Sequence, residues 1–172
     1  MATTDQNRVG VLFVCLGNIC RSPIAEAILI HRLRERGLID QFDVDSCGTG
    51  QWHVGERPDP RAIQVGKKNG VDVSSIARQL DPNSDFDRFK WIVAMDKENL
   101  RHLINAGAPR GHVHLMCSFD PAHKGKPTEA PDVPDPYYSE GDGFKKVFEL
   151  LDAACEGMLE KLGAGPVSEV EQ

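Results

Sequence analysis

The stretch that most constrains the fold of this chain joins a short apolar run to the start of a helix. Residues 9–15 read VGVLFVC, which is typical of a strand covered on both faces of a parallel sheet. The next residues, LGNICR, are mostly small or polar, and Ser22-Pro23 predicts a helix start with Ser22 as the N-cap. We expect the helix to end near Arg36, before Gly37. This segment therefore predicts a strand, a tight loop and a helix.

Strand and helix patterns alternate along the rest of the chain. The predicted strands lie near 42–47, 91–95 and 112–116, and the predicted helices lie near 59–70, 96–106 and 144–162. Residues 118–142 form a long loop rich in proline, glycine and charge, whereas 71–90 give no clear pattern. Repeated alternation predicts an α/β fold with a parallel sheet, in which ligands bind at the carboxyl ends of the strands.

Composition is typical of a soluble globular protein, and 172 residues suit a single domain that spans 1–172, with a disordered tail over 163–172. The net charge of −6 disfavours broad nucleic-acid binding, which needs a basic face. No apolar run reaches the length of a transmembrane helix, and the N-terminus lacks the pattern of a signal peptide. We therefore expect a cytoplasmic protein that binds neither nucleic acid nor membrane.

The cysteines are scattered and include no Cys-x-x-Cys pair, which indicates free thiols in a reducing compartment. They are Cys15, Cys20, Cys47, Cys117 and Cys155. Among the histidines, His112 and His114 flank Val113 in a predicted strand, but no carboxylate or cysteine spacing completes a metal site around them. We therefore expect no bound metal and no cofactor.

Cys15 ends the first predicted strand, and Arg21 follows at the start of the helix. A loop of this kind presents backbone N–H groups and a helix N-terminus to an anion, and an arginine binds two phosphate oxygens at once. The same positive surroundings stabilise a thiolate, so we expect Cys15 to attack a bound phosphate. Gly17 permits close backbone approach and Asn18 tolerates positive φ. The Ser22 hydroxyl is expected to point back towards the cysteine sulfur.

Both cysteines of this loop have an alternative interpretation. Cys15 could be a core residue, since cysteine is among the most buried residue types, but of the five cysteines it alone has an arginine six positions later. Cys20 is either a small buried apolar residue or the partner of Cys15 in a reversible disulfide that protects the nucleophile from over-oxidation.

Two motifs, VCLGNICRSPIAEA and DPYY at 135–138, resemble the signatures of low-molecular-weight protein tyrosine phosphatases, and the resemblance covers about 8–162. It implies a flavodoxin-like, three-layer α/β/α fold, with a four-stranded parallel sheet flanked by helices on both faces. It also implies a metal-independent, two-step acid phosphatase reaction. By the match, Cys15 attacks phosphorus to form a phosphocysteine and Arg21 binds the phosphoryl oxygens. Asp135 protonates the leaving phenolate and then activates water.

Spacing alone does not select Asp135. The loop 118–142 also contains five other acids, each of which has the alternative role of a solvated charge: Asp120, Glu129, Asp132, Glu140 and Asp142. Pro134 and Pro136 flank Asp135 and would stiffen it.

The predicted substrate-binding residues belong to the loop after Cys15 and to an aromatic surround. They are Leu16, Gly17, Asn18, Ile19, Cys20, Ser22, Trp52, Tyr137 and Tyr138. An aromatic phosphoester needs aromatic walls, which the two tyrosines supply. Trp52 and Leu16 match the other walls of the family, and ordinary packing is the alternative for Trp52. The expected partners are phosphotyrosine proteins or small aryl phosphates, bound by a monomer or a weak dimer.

The chain departs from the family pattern at one position. Many members have a histidine before the segment that here reads SSIARQL, and that histidine helps to hold Asn18, so we expect another group, such as Ser75, to take its place beside Ile76. Asp96 either matches a family aspartate near the loop or is a plain helix N-cap. Two other functions stay open, namely a thiol-dependent arsenate reductase, which needs a relay of cysteines, and a non-catalytic phosphate-binding module.

Overall fold

Four parallel strands form the centre of the structure, a computed structural model that describes residues 7–123 and 125–164. The strands are β1 (Val9–Cys15), β2 (Phe42–Gly48), β3 (Trp91–Ala94) and β4 (Val113–Leu115). Their order in the sheet is β2-β1-β3-β4, and every adjacent pair is parallel. This confirms the predicted four-stranded parallel sheet of a flavodoxin-like fold.

Helices follow the strands as the alternation predicts. They are α1 (Arg21–Glu35), α2 (Pro60–Lys68), α3 (Asp85–Arg88), α4 (Lys97–Asn105) and α5 (Gly143–Lys161). The segment without a clear sequence pattern, 71–90, contains the single helical turn α3, a turn at 82–84 and one bridge from Gln79 to Gly48, and is otherwise irregular. No helix among the described residues is long and apolar enough to cross a membrane.

Both faces of the sheet are covered, which explains the continuous apolar run of β1. Val11 and Phe13 point to the core formed with α1 and α5, whereas Leu12 and Val14 point to the opposite core, which includes Leu103 of α4. All five side chains are fully buried. Because successive residues of a strand face opposite sides, a strand covered on both faces has no polar positions.

The strand order places the end of β1 where ligands bind in folds of this type. From β1 the chain passes through α1 to β2 on one side of β1, whereas β3 lies on the other side, so the order of the strands changes direction at β1. Cys15 is registered with Gly48 of β2, and the adjacent Val14 with Ala94 of β3. A crevice forms outside the carboxyl ends of strands at such a change of direction, and Cys15 lies at its edge.

One detail of the predicted α1 is wrong. The helix begins at Arg21, and its N-cap residue Cys20 makes no side-chain capping bond. Ser22 is therefore not the N-cap but lies inside the first turn, because its hydroxyl is engaged with Cys15. The predicted end is confirmed, since Gly37 follows the helix with a φ of 69°.

The predicted tail lies mostly outside the described residues, which end at Ala164. Ala164 itself is buried, and its carbonyl oxygen accepts a hydrogen bond from Arg36 at 2.7 Å. Residues 165–172 carry no structural description.

Candidate active site

The loop from Cys15 to Arg21, called the phosphate loop below, connects β1 directly to α1. It folds back on itself at Asn18, which has a φ of 59° and is the sole non-glycine residue with positive φ in the described part of the chain. The Asn18 backbone N–H donates to Cys15 Sγ at 3.3 Å. Asparagine tolerates this conformation better than most residues. The loop therefore turns its backbone towards the sulfur of Cys15, a residue that is 3% exposed.

The side-chain amide of Asn18 holds the loop from behind. The backbone N–H of Arg78 donates to Asn18 Oδ1 at 3.0 Å, which fixes the orientation of the amide. Asn18 Nδ2 donates to Ser46 Oγ at 3.0 Å and to Ser22 Oγ at 2.8 Å. The expectation that Ser75 supplies this support is wrong, because the Asn18 amide bonds Arg78, Ser46 and Ser22 instead.

Ser22 contacts the cysteine as predicted from the sequence. Its Oγ lies 2.9 Å from Cys15 Sγ. Because Ser22 Oγ already accepts from Asn18, its own hydrogen is left to donate to the sulfur. A hydrogen bond of this kind stabilises sulfur in the thiolate form.

Arg21 is buried beside the cysteine and is held by two acceptors. Its Nη1 donates to Asp96 Oδ2 at 2.7 Å and to the carbonyl oxygen of Val133 at 3.1 Å. Burial works to lower the pKa of Arg21, but the charges of Cys15 and of the neighbouring carboxylates outweigh it and raise the pKa above the usual value. The guanidinium therefore stays charged in a site prepared for an anion.

Asp96 is both a helix N-cap and a partner of the phosphate loop, the two alternatives that the sequence left open. Its Oδ1 accepts from the backbone N–H of Asn99 at 2.7 Å, which caps α4, and its Oδ2 pairs with Arg21. The residue after β3 thus starts a helix and orients the guanidinium at the same time.

Asp135 is the acid of loop 118–142 that reaches the cleft. Its Oδ2 lies 3.8 Å from Arg21 Nη2, its Oδ1 accepts from the backbone N–H of Tyr137 at 3.0 Å, and its side chain is 40% exposed. Asp132, three residues earlier, instead pairs with Lys97 at 3.4 Å. Proximity in the fold therefore distinguishes acids that the sequence alone could not.

A cleft of about 350 Å³ opens over these groups. It is lined by Cys15, Leu16, Gly17, Ile19, Cys20, Arg21, Trp52, His53, Asp135, Tyr137 and Tyr138. Of the predicted binding residues, Asn18 and Ser22 are absent from this lining, because they support the loop from behind.

The rim of the cleft is aromatic and exposed. Tyr137 and Tyr138 stack edge to face with ring centroids 4.8 Å apart, and Tyr138 is 88% exposed. Trp52 is 70% exposed, yet its ring packs on Gly50, where a Cβ atom would lie 1.9 Å from it. Exposed large apolar side chains around one opening mark a binding site.

His53 lines the cleft and was not predicted from the sequence. Its Nδ1 lies 2.6 Å from Glu56 Oε2, its ring is 6.3 Å from that of Tyr137, and a Cβ atom at Gly17 would be 3.1 Å from its Cδ2. Its position directly after Trp52 is the sequence signal that could have identified it.

The thiols away from Cys15 are buried, and all five cysteines are free. Burial raises the pKa of Cys20 well above the usual value, with a further contribution from Asp59, and raises the pKa of Cys117 to about 11. Cys20 lines the cleft, but no disulfide joins it to Cys15.

The described residues contain no group of three or more His, Cys, Asp or Glu side chains that could hold a metal ion.

Comparisons with known proteins point to one family. The profile of the low molecular weight phosphotyrosine protein phosphatases matches residues 10–167. A protein of that name from Schizosaccharomyces pombe is 50% identical over 146 residues, 84% of this chain and 91% of its own, and one from Sus scrofa is 36% identical over 162 residues, 92% and 98% of the two chains. A protein tyrosine phosphatase from Entamoeba histolytica, solved with Hepes in its active site, superposes with a TM-score of 0.82 at 39% identity, over 90% and 97% of the two chains.

Proposed function

Because this chain belongs to the low molecular weight phosphotyrosine protein phosphatase family, we propose that it hydrolyses phosphotyrosine in proteins, or small aryl phosphates, through a phosphocysteine intermediate. The observation that best supports this proposal is the meeting of three groups in one cleft. The buried Cys15 sulfur is the nucleophile, the buried Arg21 binds the phosphoryl oxygens, and Asp135 is the general acid and base.

In the first step, Cys15 Sγ attacks phosphorus, so that a sulfur–phosphorus bond forms as the bond to the phenolic oxygen breaks. The charge that develops on the phosphoryl oxygens is met by the Arg21 guanidinium and by backbone N–H groups of the phosphate loop. Asp135 gives its proton to the departing oxygen, which therefore leaves as a phenol. Ser22 stabilises the sulfur before the attack and as the later leaving group.

In the second step, water attacks the phosphocysteine. Asp135, now a carboxylate, takes a proton from the water as its oxygen bonds to phosphorus. The phosphorus–sulfur bond breaks, inorganic phosphate is released, and the Cys15 thiolate and the protonated Asp135 are restored. The reaction needs no metal ion, because the guanidinium and the backbone amides supply the positive charge.

The shape of the cleft favours aryl over alkyl phosphates. The nucleophile is almost fully buried, whereas the aromatic side chains of Trp52 and Tyr138 at the rim are exposed. A substrate must therefore span the distance between the rim and the sulfur, and a flat ring fills this path while it packs on the aromatic walls. The shorter side chain of phosphoserine would not reach the sulfur.

Hydrolysis of p-nitrophenyl phosphate and of a phosphotyrosyl peptide, in EDTA and across pH 5–7, tests the proposal. We expect turnover by the wild type, none by Cys15→Ser, and a fall in kcat of about 10²–10³-fold for Asp135→Ala. Asp132→Ala is the matched control, because it removes an acid of the same loop that pairs with Lys97 outside the cleft.

Three outcomes would contradict the proposal or part of it. Inactive, folded and reduced wild-type protein would exclude a phosphatase; arsenate reduction or phosphopeptide binding without turnover would then identify the alternative. Equal losses in Asp135→Ala and Asp132→Ala would remove the special role of Asp135. Loss of turnover in EDTA that is restored by a metal would exclude the metal-independent mechanism.

A further inference from the structure

A buried carboxyl group lies behind the phosphate loop and outside the cleft. Glu26, on α1, is 6% exposed, and its Oε2 accepts a hydrogen bond from the Ser46 hydroxyl at 2.9 Å. Ser46 lies on β2, registered with Phe13 of β1. Burying a carboxyl group costs free energy unless its partners compensate, and the reaction steps above make no use of this one.

The hydrogen bonds that connect Glu26 with the nucleophile have a fixed direction. The Asn18 amide donates one hydrogen to Ser22 and the other to Ser46. Each of these hydroxyls therefore has its own hydrogen left to donate elsewhere. That of Ser22 goes to Cys15 Sγ, and that of Ser46 goes to Glu26 Oε2. Glu26 is thus the acceptor at the end of one branch, and the cysteine sulfur is the acceptor at the end of the other.

We propose that Glu26 is a positioning residue, which holds the phosphate loop in its reactive form by accepting the hydrogen of Ser46. This inference rests on the proposed function. Without that acceptor, the Ser46 hydroxyl is no longer fixed in the orientation in which its oxygen accepts from Asn18. Asn18 is then held less firmly, and so are its backbone N–H and the Ser22 hydroxyl, which both contact the sulfur.

The surroundings of Glu26 explain why glutamine is its conservative replacement. Burial raises the pKa of Glu26 to about 7, and the hydroxyls of Ser46 and Ser75 offset part of this rise. Near neutral pH the carboxyl group is therefore partly protonated, yet Oε2 stays an acceptor when the proton resides on Oε1. Charged groups face it from two neighbouring parts of the chain, Asp45 on β2 and Arg78 in the segment after α2, and Asp72 lines the same small cavity of about 160 Å³.

The test compares Glu26→Ala, Glu26→Gln and Ser46→Ala by two readouts. One is kcat/KM for p-nitrophenyl phosphate, and the other is the rate at which iodoacetate alkylates Cys15, which requires no phosphatase turnover. For Glu26→Ala and Ser46→Ala we expect both rates to fall about tenfold or more. We expect Glu26→Gln to stay within about threefold of wild type, because its amide oxygen still accepts from Ser46. Glu35→Ala is the matched control, a largely exposed glutamate on the same helix.

A double variant separates a specific relay from general destabilisation. If both residues act through one path, Glu26→Ala with Ser46→Ala is no slower than the slower single variant. Losses in rate that add up in the double variant would overturn the inference. So would a Glu26→Gln variant as slow as Glu26→Ala, or alkylation of Cys15 at the wild-type rate in every variant. Should Glu26→Ala not fold, Glu26→Met, which fills the same space but offers no oxygen acceptor to Ser46, takes its place with the same expected losses. If the wild type lacks phosphatase activity, the proposed function fails, but the alkylation rates test the relay on their own.

Discussion

The two loops that meet at the cleft are built in opposite ways. The phosphate loop is buried except at Leu16 and Gly17, and Asn18 and Arg21 are held by groups from β2, from the segment after α2 and from the start of α4. The loop 118–142, called the acid loop below, is largely exposed where it is described, and most of its hydrogen bonds join residues two or three positions apart. Its long-range anchors near the site are Val133, which bonds Met95 and Arg21, and the carbonyl oxygen of Tyr137, which accepts from Arg61.

The difference separates two tasks of the proposed reaction. Attack on phosphorus needs a fixed position for sulfur and guanidinium, because displaced groups lose most of their effect. Proton transfer by Asp135 needs access to solvent water in the second step, and the 40% exposed side chain of this residue supplies it. Rigidity is therefore concentrated where the phosphoryl group binds, while the acid lies on a segment with fewer constraints.

The largest expected effect comes from replacing the central group of the rigid part. Arg21→Lys keeps the charge but loses the planar fork that bonds Asp96, Val133 and a phosphate together. We expect kcat/KM to fall by about 10²–10³-fold, with binding of vanadate weakened in parallel. A loss of less than about threefold would mean that the fixed geometry of the phosphate loop matters little.

The next effect concerns the pH dependence of stability. Because the pKa of Glu26 is raised from 4.5 to about 7 in the folded protein, the folded state binds more protons than the unfolded state between these values. Stability from this group is therefore highest below pH 4.5 and falls as pH rises to about 7, by at most about 3 kcal/mol. The free energy of unfolding, measured with urea for wild type and Glu26→Gln at pH 5 and 7.5, tests this. Only the wild type should lose stability from this group between the two pH values. A difference in stability between the two proteins that is the same at both pH values would contradict the prediction.

A third prediction separates the two roles of Asp96. Asp96→Asn keeps an N-cap for α4 but removes the charge that faces Arg21, whereas Asp96→Ala removes both. We expect both variants to lose about tenfold or more in kcat/KM. Only the alanine variant should also lose about 1 kcal/mol of capping free energy, as measured by urea unfolding. Equal stability of the two variants would show that the cap contributes nothing.

The smallest effect is expected at the exposed rim. Tyr138→Ala removes an aromatic wall, so KM for a phosphotyrosyl peptide should rise about two- to tenfold with little change in kcat. The free energy of unfolding should change by less than about 0.5 kcal/mol, since the side chain is 88% exposed. A large fall in kcat would instead assign Tyr138 to the chemistry and weaken the contrast between the two loops.

Local patterns allowed much of the fold to be predicted. The apolar run of β1, the cap at Asp96 and the apolar stripe of α5 each depend on residues close in sequence, and the structure confirms all three. The segment 71–90 could not be predicted, because it is held by distant partners: Ala77 bonds Gly55 and Glu56, and Arg78 bonds Gly48.

In the candidate site, too, the residues of one contiguous motif could be predicted, whereas contacts between distant segments could not. Cys15 and Arg21 could be located from one short motif, since the strand, loop and helix that carry them are contiguous. The partners of Asn18 could not, because Ser46 and Arg78 reach it from other elements. Ser22 was predicted as an N-cap because that is what the residue type favours locally, and contact with the sulfur prevails instead.

The order in which these partners occur along the chain has a consequence for biosynthesis. The motif from Cys15 to Arg21 is translated before Ser46, Arg78 and Asp96, and Val133 follows later still. A growing chain therefore carries this cysteine for a time without the contacts that organise it. The set of contacts around the phosphate loop is complete only after Val133 has been translated, almost together with Asp135.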